Sequence, residues 1–262
     1  MLIQPNIDPV AIHLGSFSIH WYGLMYLFSF LCGWAILSYR KQSIPFTREQ
    51  IADLVCFVAF GVVLGGRIGY MVFYAWPILL DSPLSLFKIW EGGMSFHGGL
   101  IGVMIALFLY GQKTKTPFFA LADFIAPVIP IGLAAGRIGN FINDELWGRV
   151  TDVPWAIIFP AADSRPRHPS SLYEFFLEGV VLFIMLWIFS RKPKPRAAVS
   201  GLFLLGYGIF RFIIEFFREP DVQLGFVVNS FSEGQLLSLP MIAGGLSLLM
   251  WAYMRKKHET VS

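Results

Sequence analysis

The chain has 262 residues, of which 56% are hydrophobic and 14% charged, whereas an ordinary soluble domain is roughly 25% charged. With a mean hydropathy of +0.63 and a net charge of only +3, the composition excludes a soluble globular enzyme and gives no reason to expect a nucleic-acid partner. Cys32 and Cys56 both fall in apolar runs, which argues against a disulfide framework or metal site and for packing residues.

A membrane-spanning helix needs about 20 apolar residues. That ruler predicts spans at approximately 18–39, 51–76, 95–112, 118–142, 171–190, 199–217 and 234–254. The fold class expected is an all-α polytopic membrane protein with seven transmembrane helices, organised as a single integral membrane domain over 1–262. The first basic residue is Arg40, so the first apolar run lacks the basic flank of a cleavable signal peptide and reads as a retained anchor.

Basic clusters follow the odd spans: Arg40, Lys41 and Arg48, then Lys113 and Lys115, then Arg191, Lys192, Lys194 and Arg196, then Arg255, Lys256 and Lys257. Only Lys88, Arg149, Arg165, Arg167 and Arg218 lie in loops on the opposite side. The positive-inside rule then predicts an outer N-terminus and a cytoplasmic C-terminus. The longest connection, about 144–170, would form a small extracytoplasmic cap.

In chain order, the first span carries Tyr22 near its outer start, beside the interfacial His20. The second contains "LGGRIGYMVFY" at 64–74, and the fourth ends in "AAGRIGNFIN" at 134–143. The shared Gly-Arg-Ile-Gly is too short to establish a duplication. The third opens with "GGMSFHGGLIG" at 92–102, where Gly98 and Gly99 allow close approach to the backbone next to His97, the histidine expected to be buried in this outer cluster. A helix-packing glycine pair beside a hydrogen-bonded histidine is the plainer reading; a neutral imidazole able to accept a proton near pH 7 is the functional one. Ser95 has no nucleophile-elbow context. His168, at the start of the fifth span, reads as a residue that caps or orients that helix. On the sixth span Tyr207, Arg211, Glu215 and Arg218 recur at helical spacing and share one face.

Arg67, Arg137 and Arg211 lie within the spans. An arginine at mid-membrane costs roughly 2.5–3.5 kcal/mol, so three would cost about 8–10 kcal/mol if unpaired. Pairing is the simplest relief: Arg211 has Glu215 four residues on, and Asp53, Asp123, Glu174 and Glu178 are also intramembrane. Arg67 and Arg137 have no acidic residue at three or four positions. By depth, all three fall in the outer half with Tyr22 and His97, defining a pocket suited to an anionic head group, because a planar guanidinium binds phosphate bidentately.

The blocks "HWYGLMY" (20–26), "GGRIGY" (65–70), "GGMSFHGGLIG" (92–102), "GRIGNFINDELWGR" (136–149), "RHPSSLYE" (167–174) and "GYGIFRFIIEFFREPD" (206–221) together resemble, in order and over nearly the whole chain, the bacterial prolipoprotein diacylglyceryl transferases. One departure is Asp144, where the family pattern has glycine; its side chain is expected to face the aqueous loop. The resemblance implies a multi-pass enzyme of the bacterial inner membrane with its active site toward the outer leaflet. Such an enzyme moves the diacylglyceryl group of phosphatidylglycerol onto the lipobox cysteine of a prolipoprotein signal peptide and releases glycerol phosphate.

The partners implied are phosphatidylglycerol, the prolipoprotein and membrane lipid, with neither cofactor nor metal. His97 would activate the thiol, and Arg137 and Arg211 would bind the phosphate. Glu215 would orient Arg211, while Tyr22, Asn140 and Glu145 would hold the head group or peptide. Arg67, Gly98, Gly148 and Tyr207 complete the expected substrate-binding set. An anionic-lipid transporter is the alternative, disfavoured because the polar residues sit off-centre and the echo is short and not inverted. An intramembrane protease lacks a credible nucleophile.

Overall fold

The computed structural model of the chain describes residues 2–15, 17–40, 44–219, 226–228 and 231–259. Lys41 of the first basic cluster, and Pro220 and Asp221 of the last block, lie outside the described residues.

The protein is mostly helical. Five stretches among the described residues are long and apolar enough to cross a membrane: Trp21–Tyr39, Arg48–Phe73, Phe118–Ile142, Ser170–Phe189 and Glu233–Arg255. The two other expected spans fall on Phe96–Thr114, of 19 residues, and on the shorter apolar helix Ala198–Ile214. Length and composition alone therefore support a multi-pass membrane protein.

Helix boundaries follow local chemistry. Strand β1 is Leu2–Ile3, and β2 (Val10–Leu14) pairs antiparallel with β3 (Phe17–His20). That pairing is why α1 (Trp21–Tyr39) starts three residues later than hydropathy predicts. Helix α2 (Arg48–Phe73) opens with a capping box, Thr47 Oγ1 accepting from Gln50 N and Gln50 Oε1 from Thr47 N, which satisfies two otherwise orphaned donors. After the short α3 (Trp76–Asp81), α4 (Phe96–Thr114) is N-capped by Ser95, whose Oγ accepts from Gly98 N at 3.2 Å. Ser95 is thus committed to the helix end.

The stretch 118–142 comprises α5 (Phe118–Ile125), a 3-10 turn at Ala126–Val128 and α6 (Ile129–Ile142). Pro127 and Pro130 each remove a backbone donor there and account for the interruption. The stretch 170–189 likewise has three parts: α7 (Ser170–Glu174), a π-helical segment at Phe175–Val181 and α8 (Leu182–Phe189). Helix α9 is Ala198–Ile214, ending three residues before the expected boundary. Its first turn is capped by Asp123, which accepts from Ala197 N (2.7 Å), Ser200 N (2.8 Å) and Ser200 Oγ (2.6 Å). Strands β6 (Phe226–Val228) and β7 (Phe231–Ser232) precede α10 (Glu233–Glu259), which starts on Ser232 with Gln235 completing a second reciprocal cap.

The chain divides into two compact units, residues 1–33 with 123–262, and residues 34–122. In the larger unit Ala126, Leu182, Leu186, Val199 and Tyr207 form a buried apolar cluster. In its 144–169 connection, β4 (Ile157–Ile158) lies between β1 and β5 (Pro166–Arg167), giving a three-stranded sheet. Arg167 ties this region together by pairing with Asp163 at 2.8 Å and Glu219 at 3.2 Å. The hydrogen bonds from Arg167, then Arg165, hold the Asp163 carboxyl well below the usual carboxylate range. In the smaller unit α2 and α4 run backbone to backbone: a β-carbon on Gly69 would sit 2.7 Å from the Gly98 Cα. Cys32 is half-buried, while Cys56 lies exposed on α2 rather than in the packing expected for it; neither is in a disulfide.

Candidate active site

In the larger unit the expected polar residues converge on one ion-pair array. Arg137 projects from the last turns of α6. Its Nε lies 3.0 Å from Glu174 Oε2 and its Nη2 lies 3.5 Å from Glu178 Oε2. Arg211, near the end of α9, places Nη1 2.5 Å from Glu174 Oε1 and Nη2 2.5 Å from Glu215 Oε1. Arg218 Nη1 adds a 3.4 Å contact to Glu215. Three guanidiniums thus face three carboxylates, with Glu174 shared between Arg137 and Arg211. Glu174 and Glu178 are fully buried, while Arg137 keeps 19% and Arg211 14% of its side-chain surface. The carboxylates sit deeper and the guanidinium edges remain partly open.

A polar chain extends from Arg137. Its Nη1 donates to Asn140 Oδ1 at 3.3 Å, and Asn140 Nδ2 donates to Glu145 Oε1 (2.9 Å) and toward Tyr22 Oη (3.3 Å). Asn140 is only 4% exposed, and spending both of its amide ends in this way fixes its orientation. Tyr22, Arg137, Asn140 and Glu145 therefore form one connected network. Glu215 also accepts from Ser232 Oγ at 2.7 Å, at the N-terminus of α10, where the helix dipole favours a negative charge. Tyr207 lies one turn before Arg211, buried and stacked on Phe203.

Gly148 is enclosed by backbone. Its N–H donates to His168 O at 2.9 Å, and a β-carbon there would meet His168 O at 2.5 Å and Phe217 O at 2.6 Å. Only glycine fits, and the fit fastens the connection after α6 to the end of the sixth predicted span. Ring contacts to Tyr173 and Phe217 and a 3.1 Å contact between Nδ1 and Tyr173 Oη hold His168 in place. Burial pulls its imidazole pKa down. Asp144 begins the connection after α6. Its backbone has a φ of 53°, the left-handed region that glycine adopts at no steric cost and aspartate tolerates better than most residues. Its Oδ2 accepts from Ala161 N at 2.8 Å, within the same 144–170 connection, so the side chain faces the loop as expected.

Arg67, His97 and Gly98 belong to the smaller unit. Arg67 is 5% exposed and has no carboxylate partner among the described residues. Its Nε donates to Leu86 O (3.2 Å), its Nη2 to Ser85 O (2.5 Å), and its Nη1 to the carbonyls of Gly92 and Gly93. The guanidinium clamps the 85–93 loop. His97, in the first turn of α4, is exposed rather than buried; its ring meets Phe96 edge-on, with centroids 5.7 Å apart. Gly98 packs against α2.

Glu174 and Glu178, expected from sequence only as intramembrane carboxylates able to pair with an arginine, are the main site residues outside the expected catalytic and substrate-binding set. Glu174 closes the "RHPSSLYE" block, and two carboxylates four residues apart in an otherwise apolar helix were the available signal.

A multi-pass helical protein with a carboxylate-bridged arginine pair recessed among its helices belongs with the polytopic membrane proteins whose intramembrane charges mark a functional site. The family model described as prolipoprotein diacylglyceryl transferase matches residues 9–251, and the chain belongs to that family. Similar curated relatives are the phosphatidylglycerol–prolipoprotein diacylglyceryl transferases of Photobacterium profundum, Pseudoalteromonas atlantica and Pseudomonas paraeruginosa. The first is 59% identical over 254 residues, covering 96% of each chain. The second is 57% identical over 257 residues, covering 97% of this chain and 92% of the relative. The third is 55% identical over 258 residues, covering 97% of each.

Proposed function

We infer that this protein transfers the diacylglyceryl group of phosphatidylglycerol to the lipobox cysteine of prolipoproteins, the first step of bacterial lipoprotein maturation. The observation that carries the mechanism is the Arg137–Glu174–Arg211 bridge: two guanidiniums held side by side, with edges left open to an anion. The sulfur attacks the carbon of the diacylglyceryl group that bears the phosphate. The carbon–oxygen bond breaks, glycerol phosphate leaves with the bonding electrons, and a thioether remains.

Each residue has a task in this reading. The thiolate is the competent nucleophile, and a free cysteine has a pKa near 8.5, so removing the proton is part of the work; His97 accepts it. Negative charge builds on the leaving phosphate oxygen, where Arg137 and Arg211 stabilise it. Glu215 orients Arg211. Tyr22, Asn140 and Glu145 hold the glycerol head group or the peptide. Tyr207 backs Arg211, Gly148 keeps the loop closed, and Gly98 and Arg67 set the local frame around His97.

The same reading places the chain in the inner membrane with seven spans, its N-terminus outside and its site toward the outer leaflet. The distribution of Lys and Arg supports this orientation. It needs no cofactor.

The test uses purified protein in detergent, labelled phosphatidylglycerol and a synthetic peptide with one lipobox cysteine. Thioether formation by the wild type, abolished in Arg137→Ala, is expected. Saturable lipid binding without transfer would instead return the protein to the transporter reading.

A further inference from the structure

We propose that Glu174 is a positioning residue for the transfer reaction, setting the distance at which Arg137 and Arg211 face the lipid phosphate. This rests on the reading that those two arginines hold the phosphate. The two guanidiniums come from different helices, α6 and α9, and like charges in a low-dielectric interior repel. Among the described residues, Glu174 is the carboxylate that touches both, one oxygen to each. It is fully buried, so its bridge is not diluted by water.

The local backbone supports this role. Glu174 ends α7 where the helix widens into the π-helical segment Phe175–Val181, a distortion that recurs at functional sites. Gly179, within that segment, lies against Ala134 of α6: a β-carbon on Gly179 would come 2.6 Å from the Ala134 methyl. The helices are therefore in contact one turn from Arg137, and that contact fixes the height of Glu174 beside the guanidinium.

Each arginine also has a carboxylate of its own, Glu178 for Arg137 and Glu215 for Arg211. Removing the Glu174 charge thus leaves neither cation without a partner, but it unlinks them. An unlinked pair still attracts the anionic lipid in the ground state, whereas stabilising the departing phosphate requires both forks at a set separation.

The experiment measures thioether formation from phosphatidylglycerol and the lipobox peptide by full-length wild type, Glu174→Gln, Glu174→Asp, Arg137→Lys and the Glu174→Gln/Arg137→Lys pair, with melting temperature in detergent as the folding control. The expected result for Glu174→Gln is a kcat lower by about 10–100-fold with KM for phosphatidylglycerol within about threefold of wild type. Glu174→Asp, one methylene shorter, fails to restore the rate. The double variant loses less than the product of the two single losses, because Glu174 acts through Arg137.

A normal kcat in Glu174→Gln, full rescue by aspartate, or multiplicative losses would overturn the proposal. If Glu174→Gln does not fold, Glu174→Asp decides alone: slow with unchanged KM supports the span, wild-type kcat refutes it. Undiminished transfer by Arg137→Ala and Arg211→Ala would instead defeat the phosphate-binding reading itself, whatever Glu174 does.

Discussion

Gly179 and Ala134 are in contact across two helices so closely that a methyl on the glycine would have its carbon 2.6 Å from the alanine methyl. Ala134 lies one turn before Arg137, and Gly179 directly follows Glu178. Substituting Gly179 by valine forces the π-helical segment away from α6 and draws both carboxylates off the guanidinium. Overpacking of this kind costs about 1–3 kcal/mol. The expected outcome is a lower melting temperature in detergent and a transfer rate reduced by at least about tenfold, read on the folded fraction.

Arg211→Lys tests the fork. An ammonium is a single point of charge and cannot meet Glu174, Glu215 and a phosphate in one plane. Loss of one well-aimed donor at a developing charge costs about 10²–10³ in rate, so kcat/KM falls by that order. Wild-type turnover in Arg211→Lys would remove Arg211 from phosphate stabilisation.

For His97, the informative variable is pH. If its imidazole accepts the thiol proton, His97→Gln lowers kcat by about 100-fold or more at neutral pH, and part of the loss is recovered as pH rises and the thiol ionises unaided. Near-normal turnover across pH 6–8 would exclude the base role.

The Arg67 clamp makes a prediction about motion rather than chemistry. Arg67→Lys cannot reach the carbonyls of Ser85, Leu86, Gly92 and Gly93 together, and each unmet carbonyl in a buried setting is costly. Amide exchange at Ser85, Lys88 and Gly92, whose N–H groups close the turns of this loop, accelerates by about tenfold or more. Unchanged exchange would mean that the loop holds itself.

Acid should act on the 144–169 connection through Asp163. Its carboxyl is held below the ordinary 3.8 by hydrogen bonds from Arg167 and Arg165. A lowered folded pKa gives stabilisation that is complete above the unfolded value and is lost as pH falls through the folded one. The melting temperature is therefore level from pH 7 to 5 as far as this group is concerned and declines below about pH 4. Asp163→Asn lowers stability at neutral pH and flattens the acid limb; an unaltered acid limb would show that the pair contributes nothing.

Much of the architecture was legible because apolar length is a strong signal: the predicted stretches fall on helices, with boundaries displaced by a few residues where chemistry intervened. Residues 18–20 went to the β2–β3 pairing, and α9 stopped at Ile214. Spacing along one helix also revealed Arg211 with Glu215. It offered Glu174 and Glu178 only among four intramembrane carboxylates and could not assign them to Arg137, because they lie on a helix distant in sequence; nor could it reveal the partners of Arg67, which are backbone carbonyls. Arg67 and Arg137 occupy the same Gly-Arg-Ile-Gly tetrapeptide, yet one is solvated by peptide dipoles and the other by carboxylates. Asp144 shows the same limit, since its left-handed backbone and bond to Ala161 depend on a fold that no local pattern encodes.

The sharing of Glu174 between helices also constrains biosynthesis. Arg137, Glu174 and Arg211 emerge from the ribosome on successive helices; Arg211 arrives already paired with Glu215, whereas the helices of Arg137 and Glu174 alone would each carry unmatched charge into hydrocarbon, at roughly 2.5–3.5 kcal/mol for an arginine or an acidic residue near the centre. Neither of those two gains by partitioning into lipid singly. The favourable route holds the earlier helix beside the insertion channel until the later ones arrive, so the array that would receive the substrate also sets the order in which the protein is assembled.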